Sequence, residues 1–170
     1  MNLGKLVAVL TIGTTEMLAQ DLPRRLVVSI PDRKLVLIEA GKVKRVYDVA
    51  VGKAATPSPT GEFKIANRVV NPTWYGPKQT VPPGRNNPLG TRWMGLGFRG
   101  YGIHGTNAPN SIGKAASHGC IRMRIRDVEE LFKLVDTGDT VEIVKEVPAE
   151  VANMIAAATA TEVVLAGGGE

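Results

Sequence analysis

Glycine and proline punctuate this chain so densely that few long elements fit between them. The 170 residues include 19 Gly and 11 Pro. Proline fixes φ and removes a donor, and glycine opens the left-handed region, so both favour turns. Such a chain suits many short strands better than a helical bundle. Leu26 to Ile30 and Lys34 to Glu39 read as strands around a Pro31-Asp32-Arg33 turn. Val43 to Val51, Glu62 to Val70 and Tyr101 to His104 continue the pattern, and Thr140 to Lys145 closes it. The best helix is Asp127 to Val135, with Val128, Leu131, Phe132 and Val135 on one face. Asp127 is placed to cap it, with Glu130 completing a capping box and Gly138 ending it. The expected fold is mainly β, a sandwich or barrel with a long loop insert (Asn71 to Gly100) and one helix near the C-terminal end. Asn107 to Ser117 reads as a loop with room for one helical turn.

The length suits one domain, long enough to bury a core without disulfides. Residues 1–20 read as a signal peptide: Lys5 is followed by a short apolar run, Leu6 to Gly13, and by Leu18-Ala19-Gln20 at the cut. The folded domain is expected over 24–146. Pro148 and the Ala-rich, Gly-ending stretch after it suggest a weakly ordered tail over 147–170. No run is long enough to span a bilayer, so no integral membrane segment is expected.

Charge is distributed unevenly. The net charge is +5, yet from Phe63 to Arg126 there are ten Lys and Arg and no Asp or Glu. Such one-sided charge suggests an anionic partner, the alternative being a solvated basic face without function. The stretch has no recognisable nucleic-acid motif and scatters its cations among Gly and Pro rather than along a helix, and a carboxylate-bearing substrate fits it as well as nucleic acid does.

Both histidines and the single cysteine fall between His104 and Cys120. One Cys allows no internal disulfide. Two His and one Cys leave a zinc ion without a fourth Cys or His, so no metal is expected. What remains is a thiol nucleophile or a small, inert core cysteine. A nearby histidine, with Arg122 and Arg124, is expected to favour the thiolate. Gly119 admits close approach of substrate, and the N–H groups of Gly119 and Cys120 offer an oxyanion site. Spacing leaves open whether His104 or His118 is the base. With no acid between residues 63 and 126, the base is oriented by a distant carboxylate or by a carbonyl such as that of Gly105.

His104-Gly105-Thr106-Asn107, twelve intervening residues, and Ser117-His118-Gly119-Cys120-Ile121-Arg122 together resemble the signature of the L,D-transpeptidase (YkuD-type) catalytic domain. Pro59-Thr60-Gly61-Glu62-Phe63, Val70-Asn71-Pro72-Thr73-Trp74, Val81-Pro82-Pro83-Gly84, Asn87-Pro88-Leu89-Gly90 and Tyr101-Gly102-Ile103-His104 are similar to the branch acting on diaminopimelate-type peptidoglycan in the periplasm. The resemblance spans Leu26 to Val144. It implies a β-sandwich without cofactor. It implies that Cys120 is the nucleophile, His104 the base held by the residue 105 carbonyl, and His118 a supporting group. Gly105, Gly119 and Ser117 would orient the site or bind the oxyanion. Arg122, Asn107 and Tyr101 would contact substrate. The implied donor is a tetrapeptide stem, and the acceptor is the amine of diaminopimelate or of a protein lysine. Water as acceptor would give a carboxypeptidase or endopeptidase, and an inert thiol a non-catalytic wall-binding module. A papain-like protease needs Cys before His, and here His104 comes first.

Overall fold

Arg25–Ser29 (β1) and Lys34–Glu39 (β2) form the expected hairpin, with Ser29 opposite Lys34. Its turn is held by Asp32, which hydrogen-bonds Ser29 Oγ at 2.6 Å, and by Arg33 at φ 54°. The computed structural model describes residues 24–166, with side chains as far as residue 157. The expected signal peptide (1–20) and Gly167, Gly168 and Gly169 lie outside the described residues.

Lys42–Asp48 (β3) pairs with β2, while Thr140–Val144 (β13) runs parallel to β1 and antiparallel to Gly61–Lys64 (β5). The sheet order is β3-β2-β1-β13-β5. The last strand of the sheet in sequence therefore sits inside it. A second sheet has Ile121–Arg122 (β12), Gly102–His104 (β10), Arg92–Gly95 (β9) and Asn67–Val70 (β6), in the order β12-β10-β9-β6. Alternation then decides which side chains are shared between the layers. Leu26, Val28, Leu35, Leu37, Val141 and Ile143 of the first sheet meet Met94, Ile103 and Ile121 of the second. Each of these last three has no exposed surface, and burial of such a side chain stabilises by about 1.5–3 kcal/mol. The fold is mainly β and two-layered, as expected.

Several boundaries differ from the sequence reading. The strand read over Val43 to Val51 breaks after Asp48, because Val49 and Ala50 bond instead to Arg33 and Arg122. Val51–Gly52 (β4) then pairs with Ala115–Ser117 (β11). The strand read over Glu62 to Val70 is two strands, and buried Ile65 is the corner where the chain changes sheets. The insert is not featureless. It holds Trp74–Tyr75 (β7) paired with Thr80–Val81 (β8), and all of β9. Residues Pro109–Ser111 supply the expected helical turn.

The helix Ile125–Leu134 (α1) starts two residues earlier than read, with Arg124 at the cap and no capping side chain. Asp127 lies inside the first turn, nearly buried, and pairs with Arg124 and Arg126. It is not the cap, and the capping box is not formed. A second helix, Ala149–Ala166 (α2), occupies much of the segment read as a weakly ordered tail. Its alanines favour helix, and fully buried Val151 joins Val27, Val36 and Ile38 on the outer face of the first sheet. Those inside and outside contacts are why β1 and β2 are buried on both faces. Among the described residues, no helix is long and apolar enough to cross a membrane.

Candidate active site

The site lies on the face of the second sheet turned away from the core. Met94 and Ile103 point inward, so their strand neighbours Trp93, Gly95, Gly102 and His104 point out. Gly95 and Gly102 face each other across β9 and β10. A Cβ at Gly102 would lie 2.7 Å from the Trp93 ring, and one at Gly95 would lie 3.1 Å from its Nε1. Two glycines thus clear the space in which the indole lies. The indole stacks on His104, with ring centroids 5.7 Å apart and planes 23° apart.

His104 is 4% exposed. Its Nδ1 is 2.5 Å from the Gly105 carbonyl oxygen. A carbonyl only accepts, so Nδ1 carries the proton and Nε2 keeps its lone pair. Burial drives the His104 pKa down to about 4, the Gly105 carbonyl opposes this, and the Arg122 charge adds to it. The ring is therefore neutral at pH 7, a base with a free nitrogen. Gly105 does more than supply its carbonyl: a Cβ there would press on Ile125 at 3.0 Å and on the Leu89 carbonyl at 3.2 Å.

Cys120 sits on the bend between β11 and β12. Ser117, fully buried, shapes that bend: its Oγ donates to the Cys120 carbonyl at 2.6 Å and accepts the Gly119 N–H at 3.0 Å. Gly119 has φ +111°, and a Cβ there would meet the Tyr101 ring at 2.6 Å, so the turn needs glycine twice over. The segment Lys53 to Thr56 braces the same bend, since Lys53 N–H and Thr56 Oγ1 both donate to the Ser117 carbonyl. The Cys120 thiol donates to the Gly100 carbonyl at 3.2 Å. Burial raises its pKa, opposed by the Gly102 N–H and the Arg122 charge. The expectation that basic residues leave the thiol ionised is corrected here: burial outweighs them, and Arg124 is drawn away to Asp48 and Asp127.

Arg122 is directly opposite His104 in the parallel β10–β12 pair. It forms no ion pair among the described residues, whereas Arg68, Arg92, Arg124 and Arg126 each have an acid. His118 is exposed and makes no hydrogen bond among the described residues. The Asn107 side chain donates to the Asn86 carbonyl at 3.0 Å, tying the insert to the strand end after His104. Tyr101 stacks on Phe98 at 4.5 Å and abuts Gly119. Two hollows flank the centre. One of about 550 Å³ is lined by Arg85, Thr106 and Asn107, and one of about 290 Å³ by Trp93, Arg99, Gly100 and Tyr101.

Asn87, part of a family-like motif but given no role by the sequence reading, holds the insert. It is fully buried, its Nδ2 donates to the carbonyls of Pro72, Val81 and Pro82, and its Oδ1 accepts from the Leu89 N–H. An Asn among prolines and glycines was a signal for such a clamp. No group of three His, Cys, Asp or Glu that would hold a metal occurs among the described residues.

Residues 23–143 match the family model for the L,D-transpeptidase catalytic domain. The chain belongs to the L,D-transpeptidase family. The YkuD proteins of Bacillus licheniformis and Bacillus subtilis are 45% and 44% identical to it over 122 residues. Those alignments take in 72% of this chain and 66% of each relative, so the chain spans about two thirds of their length. Solved L,D-transpeptidases share its fold. An Enterococcus faecium cysteine-to-serine mutant superposes with TM-score 0.63 at 25% identity, covering 72% of this chain and 50% of that one. The isolated catalytic domain of the same organism's enzyme gives 0.59 at 27% identity over 71% of this chain and 96% of its own. As an L,D-transpeptidase domain, the chain holds its one thiol on the bend that leads into β12 and its one buried histidine on β10, the strand paired with β12.

Proposed function

We propose that this protein is an exported L,D-transpeptidase that acts on peptidoglycan stems in the cell envelope through a Cys120 thioester. The observation that carries the reading is His104: a buried, neutral imidazole with Nδ1 committed to Gly105, one strand from the only thiol. Because the thiol pKa is raised and that of the imidazole lowered, the resting pair is uncharged. His104 then acts as a general base during attack rather than as the partner of a standing thiolate.

In the first step Cys120 Sγ bonds to the carbonyl carbon of the third stem residue, and its proton passes to His104 Nε2. The Cys120 N–H stabilises the oxyanion, since the resting Gly119 N–H is committed to Ser117 Oγ. Collapse breaks the C–N bond, and His104 returns the proton to the departing D-Ala amine. Arg122 meets the D-Ala carboxylate through its planar fork. An acceptor amine next attacks the thioester, His104 takes its proton, and the thiol is released. An amine from a second stem gives a 3→3 cross-link, a protein lysine gives wall attachment, and water gives carboxypeptidase activity. His118 supports the site from the solvent side, and Asn107 and Tyr101 shape the substrate groove.

The test is incubation with purified sacculi and with a tetrapeptide stem, followed by mass spectrometry. A thioester on Cys120 and cross-linked stems are expected. Absence of any acyl adduct from every stem would refute the reading.

A further inference from the structure

The hollow of about 290 Å³ lies beside the reacting centre, and its lining includes Trp93, Gly100 and Tyr101, residues that contact His104, Cys120 and Gly119. Its floor is the Trp93 indole that stacks on His104. Its wall is the Phe98–Tyr101 pair, with Tyr101 against Gly119. Its rim includes Gly100, the residue whose carbonyl accepts the Cys120 thiol at 3.2 Å. The one charge in its lining is Arg99. Arg99 is exposed, has no ion pair among the described residues, and stands in the acid-free stretch between Phe63 and Arg126. The hollow is therefore aromatic along Trp93, Phe98 and Tyr101, has the polar Asn67 among its lining, and is singly cationic at the edge. A guest that satisfies both parts has an aliphatic run ending in a carboxylate.

Taking the L,D-transpeptidase reading as its basis, we infer that Arg99 is the specificity-determining residue for the third stem residue of the donor: the hollow takes a side chain that ends in a free carboxylate, as diaminopimelate does beside its terminal ammonium, in preference to one that ends in an ammonium alone or in an amide. That residue carries the carbonyl attacked by Cys120, so its side chain is the part of the donor held nearest the thiol. Lysine offers the same aliphatic run with a terminal charge that Arg99 repels. An amidated diaminopimelate keeps the shape and loses the charge-assisted hydrogen bond. Arg122 is on the strand beside His104 and Arg99 on the hairpin tip over the thiol, so the two cations read different ends of the donor.

The experiment compares three synthetic tetrapeptides that differ at the third residue: diaminopimelate, its side-chain amide, and lysine. The readout is the rate of Cys120 thioester formation by intact-protein mass spectrometry, with wild type, Arg99→Gln and Arg99→Lys. Wild type is expected to favour the free carboxylate by about tenfold or more, the effect of one charge-assisted hydrogen bond. Arg99→Gln should lose that preference while its rate on the amide stays close to wild type, and Arg99→Lys should restore part of it. Equal acylation of all three peptides by wild type, or a preference that survives in Arg99→Gln, overturns the inference and leaves the transpeptidase reading standing. No thioester with any peptide overturns both.

Discussion

Arg122 stands directly opposite His104 in the parallel pairing of β10 and β12, and its charge lowers the pKa of both His104 and Cys120. Arg122→Gln should therefore raise both values. It should also cut kcat/KM by about tenfold or more, as expected for losing a charged hydrogen bond to the D-Ala carboxylate. The check is a pH–rate profile with a stem ending in D-Ala and one ending in D-alaninamide. The amide should cost wild type a similar factor and cost the variant little. If amidation slows both equally, Arg122 does not read that carboxylate.

Cys120→Ala should abolish turnover and leave the fold intact, because no second thiol exists to substitute. In wild type, alkylation of Cys120 by iodoacetamide should be slow at neutral pH and climb with pH above the ordinary thiol range, since burial raises the thiol pKa. Rapid alkylation that is already level at pH 6 would point to a standing thiolate and contradict the neutral resting pair.

His104 couples the site to stability. Its folded pKa of about 4 lies below the ordinary imidazole value, so the unfolded chain binds the extra proton first. Stability is then fully present above about pH 6.5 and falls as pH drops toward 4, by up to about 3 kcal/mol. Urea denaturation of wild type and His104→Gln between pH 4 and pH 7 measures it. The substitution should flatten the slope over that range; an unchanged slope would assign it to other groups.

The two histidines should separate cleanly. His104→Ala should slow acylation by about 100-fold or more through loss of the base. His118 is exposed and without a hydrogen bond among the described residues, so His118→Ala should cost much less. The reverse order of acylation rates would move the base to His118.

Asn87→Ala should loosen the insert without touching the core sheets. It strips donors from three carbonyls and an acceptor from the Leu89 N–H, at a cost of about 1–3 kcal/mol for the groups left buried and unpaired. Faster limited proteolysis between residues 71 and 90 is the expected sign. An unchanged cleavage pattern would show that the clamp does not hold the loop.

Local pattern carried much of this protein. The apolar, β-branched runs Leu26 to Ile30 and Lys34 to Glu39 around the Pro31-Asp32-Arg33 turn were enough to read the hairpin, because such residues favour strands and Pro and Asp favour turns whatever surrounds them. The Ser117 to Arg122 run likewise displayed its thiol, its glycine and its cation by residue type alone. The two histidines were visible there too, but their ranking by residue type was not. That ranking came from burial: the register of β10 against β9 and β12 puts His104 under Trp93 and beside Arg122, while a bend leaves His118 in solvent.

Long-range packing decided the rest. The corner at Ile65, the break after Asp48 and the place of β13 inside the first sheet all depend on partners far away in sequence, which local propensity does not record. Asp127 had the right offset for a cap, yet Arg124 and Arg126 draw it into the first turn as a nearly buried anion. Residue types alone also pointed to an ionised thiol. Only the folded structure shows the desolvation that outweighs the nearby cations, because the cost of a charge is set by the medium that tertiary packing builds around it.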